Sequence, residues 1–276
     1  MRLHDITRHQ EDTTDARPVG SLDQVRSLGT IVGLWAHPDD ETYLAGGLYA
    51  LAAHAGQRVV SVSATAGEQG APPGCDTQAL GIRRRRELRA ALRELGVREH
   101  AVLGYPDGGC PDIDPRVGVA SFTSVLEKVR PDTIVTFGPD GLTGHPDHRA
   151  VSGWATRAWQ LVCPEARLLY VTTAPGFAER HRELHETIDA FAPGLPLATP
   201  VDDLAMRLRL DDWALGRKVA ALRRHHSQTR VVEDLVGTDA FVHWWDEECY
   251  VDAERVTLPD ELPTLTIAAP ALVHSA

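Results

Sequence analysis

No two of the four cysteines, Cys75, Cys110, Cys163 and Cys249, stand close enough to form a CxxC pair. That spacing signals neither a structural cysteine-zinc site nor a disulfide framework, and reduced thiols in a cytoplasm are the default. Positive charge is also short: 28 Lys and Arg face 39 Asp and Glu, a formal net charge of −11. Nucleic acid and anionic membrane surfaces both attract a positive field, so neither is an expected partner. No stretch of about 18 apolar residues occurs, and the first twenty residues are polar without a signal-type apolar run. The expectation is a soluble, cytoplasmic protein with a loose N-terminal tail over residues 1–28, one domain over 29–262, and a peripheral tail over 263–276. Internal repeats, low-complexity tracts and a convincing linker are absent as well.

From residue 30 short β-branched apolar runs alternate with longer helical patterns, which predicts an α/β fold: a Rossmann-like parallel sheet flanked by helices, with a C-terminal elaboration. Strands are expected at 30–36, 58–64, 99–105, 132–138 and 167–173. Helices are expected at 41–55, 77–95, 115–129 and 146–162, with Pro146 suited to a first helical turn. After Ala174 the pattern loosens, resuming with a helix over about 211–224, capped by Asp211, and a late strand in WWDEECYV. Such alternation often carries a dinucleotide, but no GxGxxG follows the first strand, where HPDDE stands instead.

Ligands of open α/β sheets bind beyond the carboxyl ends of the strands. Here the first strand runs into His37-Pro38-Asp39-Asp40-Glu41, the second into a loop with Glu68, the third into Pro106-Asp107-Gly108, and the fourth into Gly144-His145-Pro146-Asp147-His148. An imidazole and a carboxylate three residues apart at a strand-to-helix turn can converge on one ion, so His37, Asp40 and His148 are the expected ligands. Two nitrogens and one carboxylate with an open position suit catalytic zinc, although iron or cobalt fit the same donors. Asp39 is then free to act as general base. His145 is expected to stabilise the oxyanion or protonate the leaving amine, and Asp147 to orient an imidazole. The competing reading, in which the prolines punctuate turns and Asp39 and Asp40 cap a helix, accounts for one motif but not for both.

These residues resemble the LmbE-like, or PIG-L-type, N-acetylglucosaminyl deacetylase family, which carries AHPDDE after its first strand and GHPDH after its fourth. Both stand here, at 36–41 and 144–148, accompanied by TAGEQG (65–70), RxxEL (84–88), LGV (95–97), YPDG (105–108) and HSQ (226–228). The resemblance implies one zinc ion per chain on His37, Asp40 and His148, Asp39 as base, and removal of an N-acyl group, chiefly N-acetyl, from an amino sugar or glycoconjugate. It also implies that Glu68, Arg84 and Asp107 lie near the substrate or support the site. Some sugar-thiol-pathway relatives place a carbonyl-polarising Tyr two residues before the first His of HPDH. This chain has Thr143 there, so polarisation is expected to fall to the metal and His145.

The partner so implied is a small N-acyl amino sugar or a related conjugate; oligomeric state, a homo-oligomer included, stays open. Alternatives are an amidase acting on a sugar-thiol conjugate or a natural-product acyl amine, and a non-catalytic metal-binding regulator. Of Arg83 to Arg86, which point around a helix, only Arg84 is assigned a function. His225 and His226 are read equally as caps of a preceding helix and as substrate contacts. Trp244 and Trp245 are read as core or subunit contact in preference to a sugar platform.

Overall fold

The computed structural model describes residues 22–71 and 74–256. The tails expected at 1–21 and 263–276 lie outside the described residues. Residues 22–28, read as the end of the N-terminal tail, instead begin with helix α1 (Leu22–Arg26) and bury Val25 and Leu28 in the core.

In chain order β1 (Ile31–Trp35), α2 (Asp40–His54), β2 (Val59–Thr65), α3 (Thr77–Glu94), β3 (Glu99–Tyr105), α4 (Pro115–Val129), β4 (Thr133–Phe137), α5 (Pro146–Val162) and β5 (Arg167–Thr172) follow one another. Each matches its sequence expectation to within one residue at either end. Then come α6 (Phe177–Arg180), α7 (Arg182–Ile188), β6 (Met206–Arg209), α8 (Asp212–Leu222), α9 (His226–Val236), α10 (Thr238–His243) and β7 (Glu247–Asp252). The strands make one seven-stranded sheet in the order β3-β2-β1-β4-β5-β7-β6. Pairing is parallel from β3 through β5 and antiparallel where β7 joins β5 and β6.

β1 and β4 are buried at every position, as central parallel strands covered by helices on both faces must be. They are neighbours although two strands and three helices separate them in sequence, and strand order reverses between them. The crevice at their carboxyl ends is therefore the topological switch point. On β1, Gly33 leaves room for a hydrogen bond from Trp35 Nε1 to Tyr49 Oη (2.9 Å); a Cβ there would fall 1.7 Å from that hydroxyl.

α2 leaves β1 toward the centre of the molecule and packs against α8. Most of its positions from Asp40 to Ala52 are buried, all round the helix. Its middle is tied to β7: the Glu248 carboxylate accepts from the N–H groups of Gly47 (2.7 Å) and Leu48 (2.8 Å), while Tyr250 Oη donates to Leu44 O. Glu248 also receives Lys218 Nζ at 2.7 Å, and both members of that ion pair are buried.

The sequence reading missed β6, a four-residue strand in which Met206 and Leu208 are buried and Arg207 and Arg209 reach Glu247. Only its pairing with β7 makes it a strand. The late strand itself starts at Glu247, because Trp244 and Trp245 form the turn after α10 and enter the core at 6 and 7 % exposure. Trp244 Nε1 donates to His185 Nε2, and its ring meets Tyr43 edge-on. No described helix is long and apolar enough to cross a membrane.

Candidate metal centre

β1 delivers His37 at its carboxyl end, and the chain turns into α2 through Pro38 and Asp39. Asp39 is the N-cap, with φ 111°, a left-handed conformation that costs a non-glycine residue of order 1–3 kcal/mol. The turn places Asp40 Oδ2 2.7 Å from the His37 backbone N–H, which donates to it. β4 delivers the second motif: His145 caps α5, Pro146 takes the first turn, and His148 stacks on Phe137 with ring centroids 4.0 Å apart.

Three donor atoms converge there. His37 Nδ1 lies 3.5 Å from Asp40 Oδ2, His148 Nε2 lies 3.4 Å from Asp40 Oδ1, and the two imidazole nitrogens are 3.3 Å apart. The outer nitrogens identify the tautomers. His37 Nε2 is 3.0 Å from Asp107 Oδ1 and 3.1 Å from Asp147 Oδ2, and His148 Nδ1 is 3.0 Å from the Gly141 carbonyl. Each outer nitrogen donates a proton to an oxygen, so each inner nitrogen, when its ring is neutral, offers a lone pair to the centre of the cluster. Tetrahedral zinc with ligands at about 2.0–2.1 Å spaces its ligand atoms about 3.3–3.4 Å apart. The two imidazole nitrogens stand at that spacing and each faces one Asp40 oxygen, so the donor chemistry of His37, Asp40 and His148 and their convergence, with ligand atoms within 4.8 Å of one another, fit a zinc ion.

Charge follows the same geometry. Burial alone would raise the Asp40 carboxyl, but the His148 imidazole and the hydrogen bonds from His37 outweigh it and hold Asp40 below the ordinary carboxylate range. Burial would lower His37, yet its bonds to Asp107, Asp147 and Asp40 raise it well above the usual imidazole value. Those acids favour a second proton on His37, whose place a divalent cation held in the triangle would take. Asp39 is different: burial pushes its carboxyl up to about 6, against the Arg84 guanidinium and with help from the Asp40 charge.

The other two strand ends support the cluster. Asp147, fully buried, accepts from the N–H groups of Gly108 (2.8 Å) and Cys110 (3.0 Å), so the loop after β3 holds the acid that orients His37. Asp107 divides its carboxylate between His37 Nε2 and the Gln69 N–H. Glu68 Oε1 accepts from the Asp107 N–H, while Glu68 Oε2 has no protein partner. His145 Nδ1 accepts from the Asp147 N–H (3.1 Å), which leaves Nε2 as the protonated nitrogen. Burial and the neighbouring His148 and His37 rings push that imidazole down to about 3. With His37 and Asp147 it makes a second group of potential ligand atoms overlapping the first. Thr143 Oγ1 lies 3.3 Å from His148 Nδ1 and accepts from the His145 N–H.

Arg84 points inward at 4 % exposure, whereas Arg83, Arg85 and Arg86 are exposed. It donates to the carbonyls of Gly67 (2.6 Å) and Pro38 (2.5 Å) and to Asp39 Oδ2 (3.1 Å). Gly67, at φ 64°, lets the backbone approach; a Cβ there would lie 2.1 Å from Arg84 Nη1. Two buried residues outside the expected ligands, base and substrate-side residues join it. Glu41 Oε2 accepts from the Asp39 N–H, and Glu41 Oε1 lies 3.0 Å from His225 Nε2. Glu41 was visible in the HPDDE motif, but no local pattern could pair it with a histidine 184 residues away.

A profile of the PIG-L family, described as GlcNAc-PI de-N-acetylase, matches residues 32–159. A 1D-myo-inositol 2-acetamido-2-deoxy-alpha-D-glucopyranoside deacetylase of Corynebacterium diphtheriae is 34 % identical over 225 residues, covering 71 % of this chain and 75 % of the relative. The protein so named from Streptomyces avermitilis is 37 % identical over 241 residues, covering 71 % and 81 %. Among solved structures, the N,N'-diacetylchitobiose deacetylase of Pyrococcus horikoshii superposes with a TM-score of 0.57 at 19 % identity, covering 83 % of this chain and 85 % of that one; this likeness concerns the fold. With the fold, the paired strand-end motifs and these relatives in agreement, the chain belongs to the PIG-L (LmbE-like) deacetylase family.

Proposed function

We propose that this protein is a zinc-dependent N-deacetylase that hydrolyses the amide of an N-acetylated amino sugar or glycoconjugate. The observation that carries the reading is the triangle of two inward lone pairs and one carboxylate, with a further carboxylate, Asp39, next to it in the chain. A zinc ion held by His37, Asp40 and His148 would lower the pKa of water and polarise the acyl carbonyl. Asp39 accepts the proton of the attacking water and passes it to the amine nitrogen as the carbon–nitrogen bond breaks. A carbon–oxygen bond forms in its place, leaving acetate and a primary amine. His145 directs Nε2–H toward the oxyanion. Asp147 and Asp107 keep the His37 ring in the tautomer that turns Nδ1 inward. Arg84 serves as a brace for Asp39, since its guanidinium is already engaged by Gly67, Pro38 and Asp39. Thr143 sits against His148, which supports assigning carbonyl polarisation to the metal and His145.

The relatives act on acetamido sugars by name, which supports the substrate class. Purified protein is expected to carry about one zinc per chain and to release acetate and a primary amine from N-acetylglucosamine conjugates. The assay panel includes amides of sugar-thiol conjugates, because Thr143 stands where some relatives of that pathway have Tyr. Full metal loading without amine release from any N-acyl amino sugar would sink the substrate assignment.

A further inference from the structure

The peptide between Pro38 and Asp39 is held at both of its polar ends. Arg84 Nη2 donates to its carbonyl at 2.5 Å, and its N–H donates to Glu41 Oε2 at 3.0 Å. A peptide unit is rigid, with C=O and N–H pointing opposite ways, so two opposed grips fix its rotation. That rotation sets φ of Asp39 at 111° and hence the direction of its carboxylate.

The Glu41 carboxylate is held in turn by His225 and Thr42. Glu41 and His225 are both 0 % exposed. Glu41 Oε1 receives the hydroxyl of Thr42 and lies 3.0 Å from His225 Nε2, while Thr42 Oγ1 is 3.2 Å from that same nitrogen. His225 Nδ1 is buried without a partner, so Glu41 and Thr42 are the only hydrogen-bond partners of the ring among the described residues. The remaining polar groups of His225 serve the backbone: its N–H donates to Leu222 O, and its carbonyl starts α9 by accepting from Gln228 and Thr229. The ring is thus carried on a fixed turn between α8 and α9 and delivers one N–H to one carboxylate.

We propose that His225 is a positioning residue for the general base: through Glu41 it holds the Pro38–Asp39 peptide against Arg84 and so aims the Asp39 carboxylate. The inference rests on Asp39 being the base, and it extends the site to the α8–α9 turn. His225→Leu removes the donor at similar volume, Glu41→Gln weakens the same link without emptying the cavity, and His225→Gln restores an N–H near the position of Nε2. In the full-length, zinc-loaded protein with N-acetylglucosamine as probe, His225→Leu and Glu41→Gln are expected to lower kcat by about 10- to 100-fold, the scale of a misplaced catalytic group. KM and zinc content stay within about twofold in that case, and His225→Gln recovers most of the rate. In an Asp39→Asn background His225→Leu has less than about a twofold further effect, because there is no base left to aim.

Amide hydrogen exchange gives a readout independent of turnover: the Asp39 N–H loses protection in His225→Leu and Glu41→Gln and regains it in His225→Gln. Unchanged Asp39 protection in both disruptive variants overturns the proposal. So does an equal loss of rate with and without Asp39. If the wild-type protein releases no amine, the functional reading fails, and the exchange experiment still decides the clamp.

Discussion

Asp39 and Asp40 are neighbours in sequence with opposite environments. Asp40 faces His37 and His148, whose rings hold its carboxyl below the ordinary range against the effect of burial. Burial dominates at Asp39 and raises it to about 6, with Arg84 compensating in part. Replacing Asp39 by Asn preserves shape and removes the proton acceptor. We expect a fall in kcat of about 10²–10⁴ with unchanged zinc stoichiometry, measured by steady-state kinetics and elemental analysis on the same sample. Loss of zinc in that variant would move Asp39 among the ligands. The grouping of His37, Asp40 and His148 was legible in the sequence because each motif is local and sits at a strand end. The partners of Arg84 were not: the sequence left open whether it lies near the substrate or supports the site, and the fold engages its guanidinium with two carbonyls and Asp39.

At the level of elements, α2 owes its place to groups that belong to other segments. The carboxylate of Glu248 bonds two backbone N–H groups in the middle of α2 and the ammonium of Lys218, all away from water. Removing it leaves a buried cation with only the Trp245 carbonyl as its acceptor and takes one acceptor from each of two amides. Glu248→Ala is therefore expected to cost about 3–5 kcal/mol in chemical denaturation, the scale for breaking a buried ion pair; a loss under about 1 kcal/mol would show that water replaces the carboxylate.

Where β7 meets the edge strand β6, burial pushes Glu247 upward, but hydrogen bonds from Arg207 and Arg209 outweigh it and hold the carboxyl below its usual value. Its contribution to stability is thus complete above the unfolded value of about 4.3 and disappears as pH falls through the folded value. Thermal melts should show wild type above Glu247→Gln near neutrality and the gap closing below about pH 4. A gap that widens on acidification would reverse the sign of the argument. β6 was unreadable in sequence for a physical reason: MRLR is too short for periodicity, and antiparallel pairing with a strand some forty residues on makes it a strand.

For the whole molecule, the proposed ligands come from two chain segments 111 residues apart, so an ion bound there would tie α2 to α5 across the switch point. A ligand that binds only the folded state at about 100 times its dissociation constant adds about 2.7 kcal/mol. At roughly 2–4 °C per kcal/mol for a domain of this size, chelation should lower Tm by roughly 5–10 °C and zinc should restore it. His148→Ala should abolish both responses; equal melting with and without chelator in the wild type would argue against a resident ion.

Short-range sequence sufficed for the alternation of strands and helices, the positions of HPDD and HPDH at strand ends, and the ligand types they offer. Periodicity and adjacency are properties of a few consecutive residues, and they survive without knowledge of the rest. Only the tertiary structure decided that β1 and β4 are neighbours, that His37 and His148 turn their inner nitrogens toward one another, and that Asp147 is held from the loop after β3. It alone brought Arg84, Glu41 and His225 around the Pro38–Asp39 peptide. Apart from the Glu41 bond to Asp39, two residues away, each of these depends on groups tens to nearly two hundred residues apart, whose meeting is dictated by strand order and burial and by no pattern along the chain.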